Sequence, residues 1–317
     1  MRKEWFRILV LVVIIVILFP WTVLRWHQQG DLDNEEFTVR VLMPDGEVAN
    51  QSLEEYLIGV VAAEMPAEFE EEALKAQAVA ARTYAAKRIT QQTSNGETYD
   101  VDTTVNTQAW ISESQMKEKW KWLSFWRYHG KIKGAVTSTK NQVLVANGQY
   151  IDAFFHSSSG RKPTERAEDV WSSSRPYLQN IPAGEQNPNR FVKSYSFTPS
   201  SLSQKLGVTG KAKAFADADF VILSETGAGR AKVVRVLGKN YTGAQLRPLL
   251  GLASTDIEIQ LTSQELKITT YGNGHAVGMS QYGANDLAKA GKSYEEILQH
   301  FYPGTKSLYL KKGSPTP

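Results

Sequence analysis

The feature that most constrains this chain is an almost unbroken apolar run near its beginning, from Phe6 to Leu24. Its length is about the 20 residues that a helix needs to cross a membrane. Arg2, Lys3 and Arg7 lie at its start. Since cytoplasmic segments carry the excess of basic residues, the N-terminus is predicted to be cytoplasmic. Residues 1–28 are therefore predicted to form a cytoplasmic tip and a transmembrane anchor.

A cleavable signal peptide is the alternative interpretation of this run. No A-x-A-like cleavage site follows it, because the chain continues as WTVLRWHQQ. An uncleaved anchor is therefore favoured. Tryptophans at both ends of the run suit the headgroup region, where indole rings concentrate. We expect a single-pass protein of the cell membrane whose larger part is extracytoplasmic.

The composition excludes several classes of site and partner. The chain has 317 residues and no cysteine, which removes disulfides, thiolate zinc sites and cysteine nucleophiles together. Its formal net charge is only +3, and part of that excess lies at the N-terminus. A nucleic-acid partner is therefore not predicted.

Hydrophobic periodicity predicts an α+β fold. Phe37–Met43 alternates like a strand. Helices are predicted over about 52–65, opening with a capping box at Ser52, and over about 70–92. Strands are predicted from position 134 to position 160, and the C-terminal half mixes both types. The overall prediction is a mixed helix and sheet core with a smaller inserted lobe, preceded by one transmembrane helix.

Four segments follow from this pattern. Residues 1–28 are the anchor, and 29–193 are the first part of a catalytic core. Residues 194–264 are a smaller α/β lobe, and 265–317 are the C-terminal part of the core. The lobe carries none of the candidate catalytic residues, so the two parts of the core are predicted to meet in one groove.

Glu64 is the residue that the pattern itself singles out. It lies eleven positions after Leu53, about three helical turns, and so falls on the apolar face of the first predicted helix. It also lies near the C-terminal end of that helix, just before Pro66. Burial and the helix dipole both disfavour a carboxylate there, so its pKa is predicted to be raised. A carboxyl group that is protonated near neutral pH can protonate a glycosidic oxygen. A solvent-exposed glutamate at a frayed helix end is the alternative.

Arg82, His156 and His275 carry weaker signals. Arg82 flanks the alanine stripe of the second predicted helix, where a snorkelling surface arginine is the alternative. His156 opens His-Ser-Ser-Ser-Gly, which is not a G-x-S-x-G nucleophile elbow, so a serine nucleophile is not predicted. His275 lies in a glycine-rich turn where backbone can approach a ligand, although a structural histidine is the alternative. Since no ligand-like spacing supports a zinc site from the two histidines, no metal or cofactor is predicted.

Four segments together resemble the stage II sporulation protein D family, which includes relatives described as amidase enhancers. They are IGVVAAEMPAEFEEEALKAQAVAARTYAA, FFHSSSGRKPTERAEDVWSSSRPYLQNI, LRPLLGLAST and YGNGHAVGMSQYGANDLAKAGKSYEEILQHFYPG. They follow the family's order between about Phe37 and Leu310. The resemblance implies a lytic transglycosylase that acts during engulfment in sporulation. Such an enzyme cleaves between N-acetylmuramic acid and N-acetylglucosamine in peptidoglycan and leaves a 1,6-anhydro end.

The resemblance also implies roles for individual residues. Glu64, in the A-E-M-P motif, is implied to be the catalytic acid, with Arg82 of the A-A-R-T motif as a second catalytic residue. Thr164 and Tyr177 match residues that the family needs for activity. We expect these two to bind substrate along one groove with three further residues, which are His156, His275 and Gln281.

Two departures from the family pattern and one alternative function remain. Arg161 stands where a second glycine is usual, and Gln179 stands where a lysine is common, so no role is carried over to Gln179.

The implied partners are glycan strands of peptidoglycan, a cell-wall amidase and a membrane scaffold of the engulfment machinery. The alternative is a non-enzymatic, glycan-binding enhancer of a cell-wall amidase. An intact acid at Glu64 favours the enzyme.

Overall fold

The computed structural model describes residues 37–311, except Val105, Ser172 and residues 209–213, and without the side chain of Ser94. The predicted anchor, residues 1–28, lies outside the described residues. Within the described ranges, no helix combines the length and the apolar character needed to cross a membrane.

The predicted α+β class is confirmed, with helices and short strands alternating along the chain. The helices are α1 Leu53–Glu64, α2 Glu71–Asn95, α3 Glu113–Ser138, α4 Ala167–Val170, α5 Pro199–Leu206, α6 Gly243–Leu250, α7 Gln281–Lys289 and α8 Tyr294–Phe301. A 3-10 turn covers Asp217–Asp219.

The strands form several small sheets. They are β1 Thr38–Leu42, β2 Val48–Ser52, β3 Val101–Asp102, β4 Gln142–Ala146, β5 Gln149–Tyr150, β6 Phe155–His156, β7 Lys193–Phe197, β8 Phe220–Glu225, β9 Ala231–Val236, β10 Lys239–Thr242, β11 Asp256–Leu261, β12 Leu266–Tyr271, β13 Met279–Ser280 and β14 Lys306–Tyr309. Their orders are β2-β1-β3, β14-β4-β5, β13-β6, β11-β12-β7 and β10-β9-β8. The β6–β13 pair is parallel and joins two segments that are far apart in the chain, which brings their motifs together.

Helix α1 lies at the centre of the larger core. Eight of its twelve residues are buried, from Leu53 through Ala62. A helix that is apolar on every side must be covered by other elements on every side. Here β1, α2 and α3 cover it, and the buried alanines of α2 allow that helix to approach closely. The C-terminal end of α1, where Glu64 lies, is therefore held in a fixed position.

The guanidinium of Arg82 links four of these elements. It is fully buried and makes a bidentate ion pair with Glu54 of α1, at 2.6 Å and 2.8 Å. It also donates to the carbonyl oxygens of Val136 in α3, at 3.1 Å, and Gln142 in β4, at 3.2 Å. Each buried charge requires such partners, so this network determines how α1, α2, α3 and β4 pack together.

A second hydrophobic cluster lies in the region of the predicted lobe. Strand β12 pairs with both β7 and β11, so it belongs to the same sheet although it begins after position 264. The limits of the domains stay a prediction. The buried residues of this cluster are Phe197, Leu202, Phe215, Phe220, Ala231, Val234, Val236, Leu246, Leu250, Leu252, Leu266 and Ile268.

Two local predictions are wrong. Ser52 makes no side-chain cap at the start of α1, because it ends β2 and pairs with Thr38 of β1. Residues 134–138 are helical and not extended, because α3 continues through them and buries Ala135 and Val136 in the core. Helix α3 itself was not predicted. It starts with a capping box at Ser112 and is interrupted at Lys121, whose φ of 58° is not helical.

We expect Arg82→Met to lower the free energy of unfolding by about 3 kcal/mol, because Glu54 keeps a partly buried charge without its partner. Urea unfolding of the full chain in detergent, followed by circular dichroism, measures this change. The matched control is Lys117→Gln, which removes an exposed ion pair with Glu113 and should leave the free energy of unfolding nearly unchanged, because solvent screens this pair. Equal losses in the two variants would show that the buried network does not hold the core.

Candidate active site

A cleft of about 740 Å³ opens beside the C-terminal end of α1. It lies between that helix end, the β6 segment and the glycine-rich turn before β13. Four predicted site residues, from three distant parts of the sequence, line it together. The lining residues are Glu64, Tyr84, Asn106, Thr107, Gln108, Ala153, Phe154, Phe155, His156, Ser157, Trp171, Arg247, Asn273, Gly274, His275 and Gln281.

Glu64 is the last residue of α1 and is half-buried. Its Oε1 accepts a hydrogen bond from the backbone N–H of Ala109 at 3.0 Å. Burial raises the pKa of the Glu64 carboxyl, while hydrogen bonds from Ala109 and from the Gln281 side chain partly offset that rise. The direction agrees with the expectation from the sequence. Glu64 can therefore hold a proton at a higher pH than an exposed glutamate.

The contact between Gly59 and Trp110 brings Ala109 to Glu64. A Cβ atom at position 59 would lie 2.1 Å from Nε1 of the Trp110 indole, so only glycine leaves room for this ring. The N–H of Ile111 donates to the Gly59 carbonyl at 3.3 Å. The segment before α3 is thereby fixed against α1, with its backbone donor next to the carboxyl group.

Gln281 begins α7 and is almost fully buried. Its Nε2 lies 3.5 Å from Oε1 of Gln77 in α2, and the polar side chain lowers the pKa of Glu64 against the effect of burial. Ser280 caps α7 by accepting from the N–H of Gly283 at 3.1 Å. The start of this helix therefore sets the orientation of Gln281 towards the acid.

Glu185 is a half-buried acid that the sequence did not single out. It accepts from the Ser158 hydroxyl at 2.5 Å, the Ser159 N–H at 2.6 Å and the Ser280 hydroxyl at 2.7 Å. Burial raises the pKa of Glu185, and these hydrogen bonds oppose the rise. The carboxyl group thus ties the serine-rich segment after β6 to the start of α7. It lies in a loop outside every quoted motif, so only the folded chain reveals it.

His156 and His275 are neutral side chains that form one wall of the cleft. Nδ1 of His156 lies 3.2 Å from the Val277 carbonyl, so it carries the hydrogen, and Nε2 accepts from Ser159 Oγ at 2.7 Å. Nδ1 of His275 accepts from the Val277 N–H at 3.1 Å. Burial lowers the pKa of His156 well below its ordinary value, and burial with the charge of Arg247 lowers the pKa of His275 to about 4.

Two of the three serines after His156 have side chains with structural contacts. Ser158 and Ser159 are buried and bound to Glu185 and His156, so a substrate cannot reach their hydroxyl groups. Within the described part of the chain, no three His, Asp or Glu side chains lie together in a way that could hold a metal ion.

Arg82, Thr164 and Tyr177 do not line the cleft, which corrects the expected placement of Thr164 and Tyr177 along the groove. Arg82 is enclosed by its network around Glu54. Thr164 Oγ1 donates to the Gln179 carbonyl at 2.7 Å and accepts from the Ile181 N–H at 2.9 Å. The hydroxyl of Tyr177 accepts from the Asp152 N–H at 2.9 Å. All three side chains are buried, and their polar atoms are used in holding nearby backbone.

The departure at Arg161 also has a structural role. Its guanidinium binds Asp256 through Nε at 3.0 Å and Nη2 at 3.1 Å, and Glu258 through Nη1 at 2.6 Å. It stacks on the ring of Tyr271, 3.6 Å from the centroid. These contacts attach the loop after the serines to the sheet that contains β11 and β12.

Arg247 is a cleft residue that the sequence analysis missed. It comes from α6, inside the segment predicted to carry no site residue. Burial lowers the pKa of Arg247. Among the described residues, no hydrogen-bond or ion-pair partner satisfies its guanidinium. The LRPLLG motif pointed to this residue, but without a role. A half-buried cation that lacks a partner is suited to bind an anionic group of a ligand.

The cleft continues at both ends. A depression of about 480 Å³ adjoins it and shares Glu64, Ser157 and Gln281. Another, of about 290 Å³, shares Trp171, Arg247 and His275. The three together form a groove with Glu64 along its course, and aromatic side chains line both outer parts. Such a shape suits an extended ligand.

We expect the imidazole signals of His156 and His275 to remain those of the neutral ring at pH 5.5. An ordinary histidine, with a pKa near 6.5, is about nine-tenths protonated at that pH. Because both pKa values lie below that of the unfolded chain, unfolding takes up protons and stability falls as the pH drops below about 6.5. Nitrogen–proton NMR spectra of the ring nitrogens measure the protonation directly. Protonation of either ring above pH 6 would contradict the buried arrangement.

Comparison with known proteins gives concordant matches. A family model described as Stage II sporulation protein matches residues 46–145. Stage II sporulation protein D of Bacillus subtilis (strain 168) is 39% identical over 277 residues, which cover 84% of this chain and 78% of that protein. The protein of the same name from Bacillus amyloliquefaciens is 39% identical, covering 81% of this chain and 74% of its own length. An amidase enhancer of Bacillus subtilis (strain 168) is 32% identical, covering 78% of this chain and 40% of that protein.

Proposed function

This chain belongs to the stage II sporulation protein D family, and from that premise we propose that it is a lytic transglycosylase acting on peptidoglycan during engulfment. The observation that carries the proposal is the isolation of Glu64. Among the described residues that line the central cleft, it is the sole carboxyl group. A glycoside hydrolase usually needs two carboxyl groups on either side of the bond that it cleaves.

One acid is sufficient if the attacking group belongs to the substrate. Protonated Glu64 donates its proton to the glycosidic oxygen, and the bond from C1 of N-acetylmuramic acid to that oxygen breaks. The Glu64 carboxylate then takes the proton from the C6 hydroxyl of the same sugar as O6 bonds to C1. The products are a 1,6-anhydro end and a free N-acetylglucosamine hydroxyl, and no water is consumed. The raised pKa of Glu64 supports the first step.

The surrounding groups support the two protonation states of Glu64. The Ala109 N–H and the Gln281 side chain stabilise the carboxylate that forms after the first proton transfer. Arg82 acts as a positioning residue, because it holds α1 through Glu54 and does not reach the cleft. Tyr177 and Thr164 have the same kind of role in holding the segments beside the cleft.

The groove shape supports a glycan strand as the ligand. Sugars on both sides of the cleaved bond can occupy the adjoining depressions, where the walls include Trp120 and Tyr282 on one side and Trp171 on the other. Arg247 offers its unpaired charge to an anionic group of the strand. His156 offers no free nitrogen to the strand, because both of its ring nitrogen atoms are used within the protein, and Nδ1 of His275 is likewise used by the Val277 N–H.

We expect purified wall material to yield anhydro-ended products with the wild type, identified by mass spectrometry. Glu64→Gln is nearly isosteric but cannot exchange the proton, and its rate should fall at least about a hundredfold. The control is Glu55→Gln, the same change at the exposed, opposite end of α1, which should retain the wild-type rate. Reducing ends in the wild-type products would indicate hydrolysis, and near-normal activity of Glu64→Gln would exclude Glu64 from the reaction.

The similarity to an amidase enhancer favours a second candidate function, in which the groove binds glycan and the chain activates a cell-wall amidase without cleaving the strand. The same experiment separates the two. The enhancer function requires that the wild type gives no glycan products and that Glu64→Gln still stimulates an added amidase. Under the enzymatic proposal, the amidase and a membrane scaffold are partners in one engulfment machinery.

We also propose that the chain is anchored in the cell membrane by its apolar run, with the catalytic part outside. Protease added to protoplasts should then remove the bulk of the chain, because only the tip before Phe6 lies inside. Immunoblotting of a C-terminal tag measures the loss, and a cytoplasmic protein that stays intact is the control. Full protection of the tag would contradict this topology.

A further inference from the structure

Helix α3 carries an exposed apolar surface that the proposed reaction does not use. Leu123 is 90% exposed, Trp122 is 71% exposed and Trp126 is 61% exposed. We call these three residues the tryptophan patch. The two indole rings meet edge to face, with centroids 6.0 Å apart. Among the described large apolar side chains, only Tyr309 is as exposed as these.

The tryptophan patch is separate from both the core and the groove. On the same helix, Phe125 is buried in the core, and Trp120 lines the depression next to Glu64. The break at Lys121 separates Trp120 from the patch, so that α3 resumes at Trp122. None of the three patch residues lines the cleft or its two adjoining depressions. Large apolar side chains exposed together usually mark a contact surface.

The surroundings of the patch are basic. Between Glu113 and Lys133 the chain has six lysine and arginine residues and two glutamates. Lys121, Arg127 and Lys133 are exposed around the patch. Indole rings together with basic side chains are the combination that binds the headgroup region of an anionic bilayer.

The chain enters the described domain beside the same helix. Phe37, the first described residue, lines a small depression together with Lys133, Val136 and Thr137 of α3. Lys133 is seven residues from Trp126, which is about 10 Å along a helix. The eight residues from the predicted end of the anchor to Phe37 can span at most about 30 Å. A bilayer that holds the anchor therefore lies within reach of the tryptophan patch.

We propose that the tryptophan patch docks into the outer, anionic surface of the membrane that holds the anchor. This inference rests on the proposed anchor and not on the proposed reaction. The indole rings and Leu123 enter the headgroup region, and the basic side chains around them lie against lipid phosphates. The domain then has one defined face towards the bilayer, with the Trp120 end of the groove close to that face.

The absence of cysteine allows a direct test with the full chain. Leu123→Cys carries a polarity-sensitive fluorophore, and the chain is reconstituted into vesicles of phosphatidylglycerol or of phosphatidylcholine. Brominated lipid should quench the label, at least about twofold more in phosphatidylglycerol, because insertion here combines apolar burial with charge attraction. A label at Leu223→Cys, on a strand of the second cluster and 44% exposed, is the control and should not be quenched in either bilayer.

A charge variant tests the source of the lipid preference. Replacing Lys121, Arg127 and Lys133 together with glutamine should abolish the difference between the two lipids.

Carbonate-resistant flotation with the vesicles reports on the anchor, and a chain that does not float would overturn both proposals. A chain that floats while its label at position 123 is as unquenched as that at position 223 would overturn the docking surface alone. If glycan strands shield the label at position 123 from solvent while the chain is in detergent, the surface binds sugar. That result would overturn the membrane-docking proposal. Glycan digestion by Leu123→Cys reports separately on the reaction, because Leu123 lies outside the cleft.

Discussion

The buried guanidinium of Arg82 can exist in this core only with its charge and its donors satisfied. Glu54 supplies the opposite charge, and the carbonyl groups of Val136 and Gln142 accept further hydrogen bonds. Because these partners belong to three different elements, their positions are coupled to one another. The apolar helix α1 is enclosed as a result, and its last residue is delivered to the edge of the cleft. Glu64 is thus positioned by an ion pair at the opposite end of its own helix.

The cleft depends on a second coupling between distant segments. The parallel pairing of β6 with β13 brings the serine-rich segment next to the start of α7. Glu185 then binds both segments through Ser158 and Ser280. The lowered pKa values of His156 and His275 and the raised pKa of the Glu64 carboxyl all arise from this enclosure, since desolvation disfavours charge in each case. The groove therefore arises from packing between chain segments, and no single segment predicts it from its sequence alone.

The sequence was sufficient for the fold class and for the position of Glu64 at the end of an apolar helix, because helical periodicity places an acid on an apolar face without reference to other segments. It was insufficient for Arg82 and Tyr177. Their motifs matched the family, but a motif does not show whether a polar group faces a cleft or a backbone partner. Helix α3 was missed because its aromatic and basic residues interrupt the apolar repeat that is typical of a helix. The break at Lys121 also changes the phase of that repeat along the helix. Arg247 was missed because its importance comes from the absence of a partner, which only the folded chain reveals.

The packing of Trp110 on Gly59 has a consequence for how this site can evolve. Any side chain at position 59 would overlap the indole ring, which approaches to 2.1 Å of the place where a Cβ would stand. A smaller residue at 110 would relieve that overlap but would release the backbone that donates to the acid. The two positions can therefore change only as a pair, because a replacement at either position alone gives an impaired protein. Among homologues, glycine at the first position should covary with a flat aromatic ring at the second.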